Sequence, residues 1–128
     1  MPAWNDYKQA ARDRGSLAFE LFVVVSTPDA PPEKLQAVLP AHLEYQRARE
    51  AAGDLFLAGP LSDETGEQMQ GTGMIVYRAK DMGAARALAD ADPMHAEGIR
   101  TYTLRKWMVN EGMLTVSLGL SAQSVSLG

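Results

Sequence analysis

Two imidazoles, His42 and His95, are the side chains best suited to move a proton near neutral pH, unless a carboxylate is held far above its usual pKa. There is no cysteine. That removes disulfides, thiolate zinc or iron–sulfur sites and a thiol nucleophile. His42 follows Pro40 in PAHLEY. If Pro40 opens a helical segment, His42 falls in its first turn, where the helix dipole and partial burial favour a neutral ring that can accept a proton. The competing reading is a core or rim histidine satisfied by a backbone group, and pattern alone favours it. Asp92 precedes Pro93. Such a pair is a good N-cap and N1 for a short helix through Glu97, and equally a carboxylate able to orient an imidazole. Nothing in the sequence interval separating Asp92 from His42 decides between these.

His95 lies one turn further on, where exposure at the surface is expected. No HxH or HExxH spacing supports a metal site, so neither metal nor cofactor is expected. The Gly71–Gly73 stretch (GTG) precedes a strand, no GK[ST] follows it, and GxGxxG and GxSxG are absent. Arg100 and Arg105 could hold an anionic ligand or stand as solvated edge charges. Tyr45, Tyr102 and Trp107 read as core or interface residues.

The elements that must position these residues follow from punctuation and periodicity. Asn5 is expected to cap a short helical arm over 6–14, ended by Gly15. LAFELFVVVS (17–26) reads as a central strand. TPDAPP (27–32) is a turn. A helix over 33–52 carries a stripe of Leu35, Val38, Leu39, His42, Tyr45 and Ala52, and Pro40 either kinks it or starts a second segment, with 33–39 as a separate turn. DLFLAGPL (54–61) is a short strand, 62–73 a polar connection and MIVYRA (74–79) another strand. Asp81 caps an alanine-rich helix over 82–91 that Asp92-Pro93 ends. IRTYTLRKWMV (99–109) is a strand and MLTVSLG (113–119) a half-exposed one, with the last eight residues unassigned.

This order is an N-terminal helical arm, then β-α-β-β-α-β, then one extra strand. It predicts an α+β, ferredoxin-like βαββαβ sandwich in a single domain, with a core over 17–108, an arm over 1–16 and a C-terminal extension over 109–128. Such a sheet carries helices on one face only. The other face needs a cover, most economically a second copy, so a homodimer or a higher assembly built from it is expected. The extra strand could cross to that partner or blunt a sheet edge. Twelve basic against sixteen acidic residues give a net charge of −4, without a basic run, which argues against nucleic acid. The polar, mixed-charge N-terminus lacks the apolar segment of a signal peptide, and no apolar run approaches the roughly 20 residues of a membrane span. A cytoplasmic protein with no membrane partner is the expectation.

Three stretches, AHLEYQRAREAAGDLFLAGPL, GMIVYRAKDMGAARALADADP and HAEGIRTYTLRKW, occur in an order that resembles the YciI-like (YCII-related) proteins over about residues 17–108. The resemblance implies a dimeric α/β barrel built from ferredoxin-like subunits, with a cleft around a His–Asp pair. By position, His42 matches the histidine of the family's first helix and Asp92 the aspartate of the DP step. Tyr45, Gly59, Pro60, His95 and Arg105 are the substrate contacts expected around that pair. The resemblance also implies cofactor-free chemistry on small, often ring-shaped organic acids or phenols; one branch of the family eliminates chloride from a chlorinated hydroxyquinol. The arm, the 62–73 connection and the tail after Trp107 depart from the family pattern.

The leading expectation is therefore a cofactor-independent lyase or isomerase in which His42 transfers a proton and Asp92 orients it. The alternative is a non-catalytic metabolite-binding or assembly module, and monooxygenation without haem or flavin ranks last. In a plain split βαβ sandwich the exit of the second helix lies far from the middle of the first, so the pair meets only if the chain after Pro93 folds back under the first helix.

Overall fold

The computed structural model describes residues 1–128, which fall into two compact units: Glu20–Trp107, and Met1–Phe19 together with Met108–Gly128. Ten elements follow one another: α1 (Trp4–Asp13), β1 (Phe19–Pro28), α2 (Pro32–Ala52), β2 (Leu55–Ser62), β3 (Met69–Tyr77), α3 (Met82–Ala91), α4 (Pro93–Ala96), β4 (Arg100–Val109), β5 (Val116–Gly119) and β6 (Ser124–Leu127). The larger unit holds a four-stranded sheet of order β2-β3-β1-β4, in which β3 runs antiparallel to both β2 and β1. The result is an α+β fold compatible with a ferredoxin-like sandwich.

Cross-strand register explains where the core ends and a cavity begins. Phe22, Tyr77 and Leu55 form one row on the helix-facing side, and Val24, Ile75 and Ala58 the next. Ala85 and Ala89 of α3 pack on these rows, their small side chains letting the helix approach closely. The third row is Ser26, Gly73 and Pro60. Here large apolar side chains give way to a hydroxyl, a bare backbone and a proline ring. The helix layer therefore has nothing bulky to rest on, and space remains beneath α2.

Several expected boundaries moved. α1 begins at Trp4 with Ala3, not Asn5, at its N-cap and no side-chain cap, because the helix runs back past Asn5. α2 is continuous from Pro32 to Gly53, whose φ of 83° closes it in the left-handed region open to glycine. Pro40 sits inside the helix and splits nothing, so His42 stands midway along it, away from the dipole of a first turn. Ala52 is exposed and drops out of the stripe. The polar connection is shorter than expected, since β3 starts at Met69; Asp63 closes the turn by accepting from the backbone N–H and hydroxyl of Thr65 and the N–H of Gly66. That hydroxyl contact, foremost, holds the Asp63 carboxyl below its usual pKa.

The smaller unit joins the two chain ends. The Leu17 N–H donates to the Asn110 carbonyl at 3.1 Å, and Tyr7 Oη accepts from Asn110 Nδ2 at 3.0 Å and from Arg14 Nη2 at 3.1 Å. The unassigned tail supplies β6, which pairs antiparallel with β5 in a two-stranded sheet of its own. No helix is long and apolar enough to cross a membrane.

Candidate functional site

Asp92 is the residue around which the site is built. Its backbone is extended (φ −61°, ψ 125°), as the following proline requires, and it joins the end of α3 to the start of α4. The Met94 N–H donates to Asp92 Oδ1 at 3.0 Å, a helix N-cap. α4 folds the chain back against α2, and both carboxylate oxygens of Asp92 then lie 2.8 Å from His42 Nδ1. Asp92 is 0% exposed, whereas the His42 side chain remains 17% exposed. The cap reading and the imidazole reading of Asp92 are both satisfied geometrically, by one carboxylate.

An ionised carboxylate only accepts, so its contact assigns the hydrogen to Nδ1 of His42 and leaves Nε2 as the ring's free lone pair in the neutral state. His42 lines a cavity of about 320 Å³ together with Leu39 and Leu43 of α2, Ser26, Gly59, Pro60, Gly71, Gly73 and Arg100 of the sheet, and Met94 of α4. Met69, Met74 and Ile75, with Gln46 and Thr72, complete the wall, so apolar side chains outnumber polar ones around the ring.

α2 is held at the rotation that aims His42 inward. One turn beyond it, the Tyr45 hydroxyl donates to the Leu88 carbonyl at 2.6 Å, and Arg49 Nη1 pairs with Asp54 Oδ2 at 3.0 Å. Leu88 lies in the last turn of α3, whose carbonyls lack helical partners and need donors from elsewhere. Burial first of all raises the pKa of Tyr45, keeping it a donor.

A second polar chain backs the cavity. His95 Nδ1 lies 2.8 Å from the Ala89 carbonyl, which can only accept, so Nδ1 carries a hydrogen. In the neutral ring Nε2 then accepts, 2.8 Å from Ser26 Oγ. Ser26 Oγ in turn accepts from Arg100 Nε at 2.8 Å, which leaves its own hydrogen for His95. The Arg100 Nη2 donates to the carbonyls of Ser26, at 2.8 Å, and Gly71. Burial lowers the Arg100 pKa, and the negative charge of Asp92 opposes that shift.

Of the residues expected around the pair, Gly59 and Pro60 do line the cavity. Three others do not. Tyr45 borders a separate depression with Arg49 and Arg78, because its hydroxyl is committed to α3. His95 is half-buried rather than exposed, its ring tilted against that of Tyr102 with centroids 4.7 Å apart and both ring nitrogens engaged, and it does not line the cavity. Arg105 points away: alternation along β4 turns Arg100, Tyr102 and Leu104 toward the helices and Arg105 and Trp107 to the opposite face. Sequence reasoning did not identify Ser26, Gly71 or Gly73 as lining residues. The signals were a serine in phase with Phe22 and Val24, and two glycines two apart on the same face of β3. No group of three His, Asp or Glu side chains converges as a metal site.

Comparison with known proteins gives a coherent placement. No curated protein matches the chain. Among solved structures, 5-chloro-2-hydroxyhydroquinone dehydrochlorinase from Burkholderia phenoliruptrix AC1100, in complex with 2,5-dihydroxybenzoquinone, superposes with a TM-score of 0.51 at 20% identity, over 68% of this chain and 92% of that one. That likeness is one of fold. The YCII-related domain matches residues 20–108, the span that holds the sheet, α2 to α4 and every residue of the cavity, and the chain belongs to the YCII-related family.

Proposed function

We propose that the cavity binds a small, largely apolar organic substrate and that His42 Nε2 transfers a proton to or from it, with Asp92 fixing the ring's tautomer and stabilising its charged form. One observation carries this reading. A fully buried carboxylate is spent on the Nδ1 of a partly exposed histidine whose other nitrogen has no protein partner and whose ring lines the cavity. A histidine serving only to fill the core has no use for such an arrangement.

The reaction class is lyase or isomerase. Nε2 removes a proton from a C–H or O–H, the electron pair moves into a double bond, and either a leaving group departs with its own pair or the proton returns at another atom. Both steps balance without an external oxidant or reductant. The dehydrochlorinase of similar fold performs, by its name, an elimination of this kind, and ring-shaped phenols or acids bearing a leaving group are the compounds to try first. The functional unit is a homodimer in the manner of a dimeric α/β barrel.

The test is a substrate screen with the native chain and His42→Ala. Turnover falls about 10²–10⁴-fold in the variant, measured at a temperature where circular dichroism shows it folded. Equal turnover by the two proteins rejects the assignment. Binding of a metabolite that is never converted, with affinity lost in His42→Ala, transfers the cavity to a binding module instead.

A further inference from the structure

We propose that Arg100 forms an anion subsite in the cavity, so that the substrate is a small organic anion (a carboxylate, phenolate or enolate) whose charged oxygen is held at Arg100 Nη1 while His42 acts elsewhere on the same molecule. The inference rests on the reading of this cavity as a substrate site and adds the charge of what enters it.

A guanidinium has five N–H donors. Three are spent on the protein: Nε on Ser26 Oγ, and both hydrogens of Nη2 on the carbonyls of Ser26 and Gly71. The two hydrogens of Nη1 have no protein partner. All three acceptors are neutral, so the contacts orient the fork without cancelling its charge. The nearest carboxylate of the site, Asp92, makes no ion pair with Arg100, because its oxygens are taken up by His42 and the Met94 N–H. The unspent end of this half-buried arginine is therefore a charged donor, in a residue that lines the cavity, open to an incoming anion.

The surroundings point the same way. Gly71 adopts a φ of +88°, a backbone that L side chains rarely take, and this turns its carbonyl to Arg100. Ser26 cannot serve as a nucleophile or as a donor to substrate while its hydrogen is given to His95 Nε2. Ser26 and His95 are thus positioning residues: the line Ala89, His95, Ser26, Arg100 holds the guanidinium plane in place. Gly73 adds no side chain to the cavity wall in the row it shares with Ser26 and Pro60. Fixed, unpaired donors also stabilise negative charge that grows on an oxygen as His42 removes a proton.

The test compares benzoate with benzamide, its neutral isostere, by NMR titration of the full chain at pH 8, where benzoate is ionised. The native protein is expected to bind benzoate at least about tenfold more tightly. Arg100→Gln erases that preference, Arg100→Lys keeps part of it, and His42→Asn leaves it in place. Equal binding of the two probes by the native protein, or no saturable benzoate binding at millimolar concentration, overturns the subsite even if Arg100→Gln fails to fold. A preference that survives in Arg100→Gln overturns it too. The two readings separate cleanly: charge preference in a protein that turns nothing over keeps the subsite and removes the catalytic role of His42, whereas His42-dependent turnover with equal probe binding does the reverse.

Discussion

At the scale of single residues, Asp92 holds two donors at once, His42 Nδ1 and the Met94 N–H, and its substitutions divide accordingly. Asparagine keeps an oxygen for the Met94 N–H, so the cap of α4 survives. It cannot keep the carboxylate's demand for a hydrogen on His42 Nδ1. In Asp92→Asn the neutral ring should therefore move toward the Nε2–H tautomer, visible in the imidazole ¹⁵N shifts with no substrate present, whereas the native ring holds its hydrogen on Nδ1. Asp92→Ala also loses the cap, a further cost of about 1 kcal/mol in denaturant unfolding. Tyr77 gives a prediction of opposite sign. Its hydroxyl is buried without a hydrogen-bond partner, and burial above all raises its pKa from the ordinary 10.0. Below about pH 10 both folded and unfolded tyrosine are neutral, and stability does not depend on this group. As pH rises further the unfolded chain releases the proton first, so stability falls. Tyr45 and Tyr102, raised likewise by burial, act in the same direction. Tyr77→Phe should flatten this alkaline loss and leave stability at pH 7 unchanged or higher by up to about 1 kcal/mol, measured by urea unfolding at pH 7 and pH 11.

At the scale of elements, β3 does more than its sequence suggests. A Cβ on Gly71 would meet Pro28 Cγ at 2.7 Å, and the φ of +88° is strained for any L side chain. Gly71→Ala should cost about 1–3 kcal/mol in urea unfolding and weaken benzoate binding by releasing the carbonyl that Arg100 holds. Retained stability with unchanged binding would show that β3 plays no part in holding the guanidinium. Element types were legible because they are local: α3 spans the expected residues from the Asp81 cap, whose carboxylate accepts from the Ala84 N–H at 2.8 Å, to the Asp92-Pro93 stop. Pro40 starts no second segment, because beyond it α2 is held to other elements through His42, Tyr45 and Arg49. The His42–Asp92 contact was legible only through family likeness, since it depends on α4 turning the chain back, a tertiary event that spacing does not encode. Arg105 and Arg100 read alike in sequence. Only the phase of β4 against its neighbours separates the one beside the cavity from the one on the far face.

At the scale of the whole molecule, the four-stranded sheet has a face turned away from α2 and α3. Val23 and Val25, half-buried, and Trp107, 42% exposed, border a shallow depression there with Thr103 and Arg105. Val25 pairs with Met74, and Val76 with Val23 on one side and Leu57 on the other, so this face is an apolar sheet surface rather than isolated side chains. A two-fold partner presenting the same face would bury it, and specific interfaces remove on the order of 800 Å² per partner. The native chain should therefore sediment at twice the mass of one 128-residue chain, and Val23→Glu with Val25→Glu should give a folded monomer. A native monomer at micromolar concentration removes the dimer. The hairpin of β5 and β6 offers a rival surface, since Leu118, Val125 and Leu127 are all exposed. Deleting residues 113–128 separates the two. If the sheet faces associate, the shortened chain still sediments as a dimer and the paired glutamates still dissociate it; if the hairpin carries the assembly, the deletion alone yields monomer and the glutamates leave the native dimer intact.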